Sequence, residues 1–199
     1  MVRNPGCSFP VRANRILQPA HDDSILHLYS DLAHALDESQ PSLEIRNPSG
    51  ESITQIVAGA GHFLLLSANS LLSYGDDRFA QSGSSSSPTT NPQLHRIDFF
   101  DGLYPTLIAA GDSHSAVVTR DGSLYMFGSD AEGQCGGFGE PNLVTFLEDG
   151  VEDESLEVTA IACGASHTVI ATKSGSLDKP GIFVAGSSES SFPAQRIKC

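Results

Sequence analysis

The chain has no tryptophan and two methionines among its 199 residues, so aromatic bulk falls mainly to ten phenylalanines. Basic residues are also scarce: 11 Lys and Arg stand against 24 Asp and Glu, a formal net charge of −13. Phosphate contacts need clustered Lys and Arg, so direct nucleic-acid binding is not expected. No run of about 18 uninterrupted apolar residues occurs, so no membrane span is expected either. The opening Met1-Val2-Arg3-Asn4-Pro5-Gly6-Cys7 lacks the apolar stretch of a signal peptide. Four cysteines, Cys7, Cys135, Cys163 and Cys199, make no CxxC pair. That favours reduced thiols in the cytoplasm or nucleus over a disulfide framework. No nucleophile elbow, phosphate loop or zinc-ligand spacing is present, so the chain is read as no enzyme, with no catalytic, cofactor or metal residue to assign.

What the chain does have is a repeat. Ile56-Val57-Ala58-Gly59-Ala60-Gly61-His62 returns as Ile108-Ala109-Ala110-Gly111-Asp112-Ser113-His114, and again as Ile161-Ala162-Cys163-Gly164-Ala165-Ser166-His167. The Gly-x-x-His glycines are 52 and 53 positions apart, a period typical of propellers and solenoids. An apolar run follows each His, then a polar turn such as Arg120-Asp121-Gly122-Ser123, then a strand ending in Gly75, Gly128 or Gly186. Glycine-punctuated loops follow in two copies, Ala80-Gln81-Ser82-Gly83 and Gly133-Gln134-Cys135-Gly136, and a fourth strand is expected near Pro92, Pro141 and Pro193. Four short strands per unit is the make-up of a propeller blade.

This ordered set resembles the repeats of the regulator of chromosome condensation family, which are seven-bladed propellers. The family pattern is Ala-Gly-x-x-His, an apolar strand, an Asp-Gly turn, an aromatic strand ending Trp-Gly, then Gly-Gln-Leu-Gly. Ile108 to Gly136 follows it nearly throughout, with Phe127-Gly128 for Trp-Gly and Gly133-Gln134-Cys135-Gly136 for the last loop. The third copy has Ala185-Gly186 and then loses the Gly-Gln motif. The resemblance covers about Ile53 to Ile197 and implies an all-β chain, a partial β-propeller of three to four four-stranded blades. At about 52 residues per unit, 199 residues hold fewer than four blades, and a partial ring leaves blade edges open. A truncated product, a fourth degenerate blade, and an oligomer or partner chain covering those edges each answer this, and an echo between the two termini favours truncation.

The repeats divide the chain into an N-terminal segment, 1–50, expected to hold an edge strand and a helix, and propeller-type units at 53–104, 105–157 and 158–199 within 51–199. In the first segment Ile25, Leu28, Tyr29, Leu32 and Leu36 recur at three- and four-residue steps behind Asp22, Asp23 and Ser24. This predicts one N-terminal amphipathic helix, from about Ser24 to Asp37. His27 and His34 share its face but find no third ligand for a metal. Ser82 to Thr90 reads as a serine-rich loop. Ser8-Phe9-Pro10-Val11-Arg12 echoes Ser191-Phe192-Pro193-Ala194-Gln195-Arg196, so the two segments are expected at the same place in different sheets.

Equivalent residues in successive blades sit apart around a ring, so Gly59, His62, Gly75, Gly111, His114, Gly128, Gly164, His167 and Gly186 are expected to do repeated structural work. Ser113-His114 and Ser166-His167 are strand neighbours pointing to opposite faces, so neither makes a nucleophile–base pair. The expected function is that of a non-catalytic protein-binding scaffold or adaptor. Contacts are assigned to Asp112 and Ser113 in the turns, and to the acidic Glu148, Asp149, Glu152, Asp153 and Glu154, which suit a basic protein partner. Guanine nucleotide exchange on a small GTPase is the alternative the resemblance implies. There, acids in the Gly-x-x-His turns contribute; here Asp112 alone supplies one, with Ala60 and Ala165 at the matching positions.

Overall fold

Apolar residues alternating with turn-forming ones build four sheets, one after another along the chain. The computed structural model describes residues 9–11, 15–20, 22–29, 41–83, 93–135, 139–148, 151–152, 156–174, 181–186 and 194–196. The first sheet is β1 (Phe9–Val11), β2 (Arg15–Pro19), β3 (Ile25–Tyr29) and β4 (Leu43–Arg46), paired antiparallel in that order. The second is β5 (Ile53–Ala58), β6 (His62–Ser67), β7 (Leu71–Gly75) and β8 (Gln93–Arg96). The third is β9 (Pro105–Ala110), β10 (His114–Thr119), β11 (Leu124–Gly128) and β12 (Gly139–Leu143). A hairpin follows, β13 (Phe146–Glu148) and β14 (Val151–Glu152). The fourth sheet is β15 (Leu156–Cys163), β16 (His167–Ser174), β17 (Gly181–Gly186) and β18 (Ala194–Arg196). β13 pairs parallel with β18, which widens that sheet to six strands.

First strands line up: β9 packs on β5 and β6 of the sheet before it, and β15 on β9 and β10. The second and third sheets each bury one face against the preceding sheet and the other against the next. Leu26, Leu28 and Ile45 meet Phe63, Leu65 and Leu72 between the first and second sheets. Leu64, Leu66 and Leu71 meet Ile108, Val117 and Phe127 between the second and third. Ala116, Val118, Leu124 and Met126 meet Val158, Ile170 and Phe183 between the third and fourth. A strand covered on both faces reads as a continuous apolar run, and β6 and β10 are buried at all six residues. Fully burying a side chain such as Phe127 stabilises by about 1.5–3 kcal/mol. This is an all-β arrangement of propeller blades.

Two expectations are corrected. Ile25–Tyr29, assigned to the start of a helix, is strand β3; residues 30–37 of that helix lie outside the described residues. The residues suited to an N-cap make an Asx turn instead, with Ser24 N–H donating to Asp22 Oδ1 at 2.9 Å and Ile25 N–H to Asp22 O at 3.0 Å. Asp and Ser serve either geometry, and what decides here is the covered face of Leu26 and Leu28. A single helical turn, Asp98–Phe100 of 3₁₀ type, lies among the described residues. The echoing segments also part company: Phe9–Val11 is the first strand of its sheet, beside β5, whereas Ala194–Arg196 is the fourth strand of the last. Residues 84–90 of the serine-rich loop lie outside the described residues.

Candidate functional site

All three Gly-x-x-His turns come to one end of the sheets. Each turn is closed by the Gly N–H donating to the carbonyl of its own His, Gly59 to His62, Gly111 to His114 and Gly164 to His167, at 2.8 Å in each case. Neighbouring turns are also joined, Ala60 N–H to Gly111 O and Asp112 N–H to Gly164 O, both at 3.3 Å. A Cβ on Gly111 would run into the His114 ring and the Gly164 carbonyl. Glycine is needed there for close approach.

The imidazoles reach across to the following sheet. His62 Nε2 lies 2.8 Å from Ser115 Oγ, and His114 Nε2 lies 2.8 Å from Thr168 Oγ1. The Ser115 hydroxyl gives its proton to the Gln81 carbonyl at 2.7 Å, so it accepts from His62. Nδ1 of both rings is buried with no hydrogen-bond partner. A bare lone pair is tolerated there better than an unpaired N–H, so both rings carry their proton on Nε2. Burial first, then the neighbouring His114, hold the His62 pKa down to about 4 against the pull of Asp76. Burial and His167 do the same for His114, also to about 4, opposed by Asp112. At neutral pH both are uncharged hydrogen-bond donors that tie one sheet to the next. The partner in both cases is a side-chain hydroxyl of the next sheet.

Gly75, Gly128 and Gly186 end β7, β11 and β17 opposite His62, His114 and His167. Gly128 has φ +114, and a Cβ there would lie 2.6 Å from Ser113 O, so the turn and the strand end are in contact. After each of the first two glycines the chain makes the same loop. Ser82 N–H donates to Asp77 Oδ1 at 3.0 Å and Phe79 N–H to Gln81 Oε1 at 2.9 Å. Cys135 N–H to Asp130 Oδ1 and Glu132 N–H to Gln134 Oε1, both 2.8 Å, are the counterparts. The Asp-and-Gln pair therefore shapes the loop.

Turns and loops form one continuous surface, since Asp76 N–H donates to Gly61 O at 2.9 Å and Ser129 N–H to Ser113 O at 2.8 Å. Asp112 and Ser113, both half-buried, sit on it. So do Asp76, Asp130 and Glu132, with the Asp76 pKa lowered chiefly by its Arg78 hydrogen bond. Arg78 Nη2 pairs with Asp76 Oδ2 at 2.6 Å, and beside it Phe79 is 40% exposed. The surface thus combines an exposed aromatic with several acidic side chains.

Glu148 lies in β13 and Glu152 in β14, their side chains outside the described residues, as are Asp149, Asp153 and Glu154 altogether. Glu157 pairs with Lys173 Nζ at 2.8 Å, at the opposite end of the sheets. Sequence reasoning passed over Asp76, Arg78, Phe79 and Glu132, and also the hydroxyls of Ser115 and Thr168. Stacking the three copies would have exposed the last two, because Phe63, Ser115 and Thr168 share one position and two of them are hydroxylic. Among the described residues no group of three or more His, Cys, Asp and Glu could hold a metal ion, and no helix is long and apolar enough to cross a membrane.

Family models described as Regulator of chromosome condensation (RCC1) repeat match residues 106–134 and 121–171. The chain is 40% identical over 123 residues to an X-linked retinitis pigmentosa GTPase regulator homolog of Caenorhabditis elegans, a match covering 60% of this chain and 9% of that protein. It is 30% identical over 150 residues to the Ultraviolet-B receptor UVR8 of Arabidopsis thaliana, covering 73% of this chain and 33% of the receptor. In fold it is similar to yeast RCC1 (Prp20), solved bound to Kap60, with a TM-score of 0.68 and 18% identity over 97% of this chain and 48% of that one. The chain thus spans from about a tenth to a third of these two curated relatives.

Proposed function

Because the chain belongs, as a partial member, to the regulator of chromosome condensation (RCC1) repeat family, we propose that it is a non-catalytic protein-binding scaffold whose contact surface is the end bearing the Gly-x-x-His turns. One observation carries this reading: turns from successive sheets and the loops after Gly75 and Gly128 are hydrogen-bonded into one surface, which bears Asp76, Asp112, Asp130, Glu132 and the exposed Phe79. Modest contacts from several turns sum over a wide interface, and net negative charge selects a Lys- and Arg-rich partner segment. With His62 and His114 neutral and engaged, those two imidazoles are occupied with structure. The acidic run from Glu148 to Glu154 is a second contact in this proposal, and a reducing compartment, cytoplasm or nucleus, goes with it.

The reading is tested by titrating the full chain with a Lys/Arg-rich peptide. The double variant Asp112→Lys, Glu132→Lys is expected to weaken binding at least about tenfold and to flatten its salt dependence. Glu157→Lys, at the far end, is expected to leave affinity unchanged. Equal loss in both variants would remove the assignment of the face.

Nucleotide exchange is the second reading, favoured by the acid Asp112 in the middle turn and by the GTPase-regulator relative. Release of bound GDP from small GTPases, accelerated by the chain and abolished by Asp112→Ala, would establish it.

A further inference from the structure

Tyr104 is held in a conformation its side chain does not favour. Its φ is +53, a left-handed geometry that is an outlier for a bulky residue. Burial does not explain it, since Tyr104 is 47% exposed. Arg120 meets this residue twice: its N–H donates to the Tyr104 carbonyl at 3.0 Å, and its guanidinium lies 4.2 Å from the ring centroid. No carboxylate among the described residues pairs with Arg120, and none of their groups hydrogen-bonds the Tyr104 hydroxyl. The cation rests on the ring face alone.

The repeat shows what the same two positions hold one sheet later. Tyr104 and Arg120 stand seven residues before and nine after Gly111, and Glu157 and Lys173 stand at the same distances from Gly164. Both ladders carry the same irregularity next to the pair. Thr119 faces Pro105 and Val118 faces Leu107, as Thr172 faces Val158 and Ala171 faces Ala160. In the fourth sheet the pair is ionic, with Lys173 Nζ 2.8 Å from Glu157 Oε2. In the third sheet the cation is in place and faces a neutral phenol. The first copy has Ser52 and Ala68, and so neither charge.

We propose that Tyr104 is a phosphorylation site and that Arg120 is the built-in partner of its phosphate, completing in the third sheet the ion pair that Glu157 and Lys173 make in the fourth. A tyrosine kinase transfers the γ-phosphoryl group of a nucleoside triphosphate. The bond to the departing nucleoside diphosphate breaks, a bond from phosphorus to Tyr104 Oη forms, and the hydroxyl proton passes to the kinase's base. The guanidinium then leaves the ring face for the phosphate oxygens, a charge-assisted pairing stronger than the stacking it replaces. Access suits the step. Asp98, Phe99, Asp101 and Gly102 in the same connection between β8 and β9 are exposed, and the strained φ relaxes when that segment opens into a kinase cleft. Asp98 and Asp101, six and three residues before Tyr104, give the acidic approach that tyrosine kinases favour. Arg96 pairs with both, which limits their repulsion of the phosphate. Tyr74, stacked on Phe63, and Tyr125, in edge contact with Phe99 and Phe100, are only half-exposed. The site lies away from the turn-bearing face and stands independently of the partner proposed there.

The test incubates the full chain with magnesium ATP and a tyrosine kinase selective for acidic substrates, and locates phosphate by peptide mass spectrometry. Tyr104 is expected to be modified at least about tenfold faster than Tyr74 or Tyr125, in keeping with its access, and Tyr104→Phe is expected to remove most incorporation. Phosphorus NMR of the modified chain then follows the second ionisation of the phosphate. It is expected at lower pH in the parent and in Arg120→Lys than in Arg120→Gln, a difference that shrinks in high salt. No phosphate on Tyr104, or label confined to other tyrosines, overturns the site. Identical titration of the phosphate in the parent and in Arg120→Gln overturns the role of Arg120, and with it the comparison with Glu157 and Lys173 that carries the proposal.

Discussion

His114 and Thr168 are 54 residues apart in the chain, yet Nε2 of one lies 2.8 Å from Oγ1 of the other, buried between two sheets. The bond repeats the one between His62 and Ser115, 53 residues apart and also 2.8 Å long. Sequence period and inter-sheet contact therefore coincide. A polar tie buried between apolar layers fixes which turn sits beside which, something the surrounding Leu and Val contacts do only loosely.

Protonation should loosen these ties. Both histidines have pKa values near 4 in the folded chain against an ordinary 6.5. Between those values the unfolded chain binds protons that the folded chain does not, so stability falls as pH drops from about 6.5 to about 4 and this contribution is flat above that window. The loss is at most about 3 kcal/mol per ring. Denaturant unfolding at stepped pH measures it, and His114→Gln is expected to reduce the slope. The described carboxylates with lowered pKa, Asp76 and Asp121 among them, lose stabilisation only at lower pH.

Gly111→Ala should damage the junction of the second, third and fourth sheets. The added methyl collides with the His114 ring and the Gly164 carbonyl, and relieving it breaks the imidazole's seat. A loss of about 2 kcal/mol or more is expected in urea unfolding.

Phe127 and Phe99 should differ sharply on truncation. Phe127 is fully buried between two sheets and Phe99 is 46% exposed. Phe127→Ala is expected to cost about 3–5 kcal/mol, and Phe99→Ala under about 1.5 kcal/mol.

Two thiols should be inert in the native chain. Burial raises the pKa of Cys135 strongly and pushes Cys163 up to about 12, where a Thr168 hydrogen bond opposes it in part. Thiolate is the reactive form, so neither should be alkylated by iodoacetamide at pH 8 until the chain is unfolded. Peptide mapping by mass spectrometry reads this directly.

Much of the fold was legible in the residues. The Gly-x-x-His spacing located β5 to β7, β9 to β11 and β15 to β17, because tight turns and a strand-ending glycine leave few other geometries. The first sheet was hidden. Ile25, Leu28 and Tyr29 fit a helical step, and the alternation that makes them strand β3 spans only five residues. Its stability comes from Phe63, Leu65 and Leu72 in another sheet, a contact that local periodicity does not report. In the candidate face, Asp112 stands out in the sequence because Ala60 and Ala165 occupy the matching positions of the other copies. Asp76, Arg78 and Phe79 do not, since they lie in a loop whose repeated signal is Gln81 and Gly83, and their shared surface arises only once the turns are stacked.

A double-mutant cycle on His114 and Thr168, using His114→Phe, Thr168→Val and both together, tests the tie between successive sheets most directly. The account expects each single change to destabilise by about 1–3 kcal/mol and the pair to be coupled by about 1 kcal/mol or more. Strictly additive losses would mean that the histidine and the hydroxyl merely lie side by side.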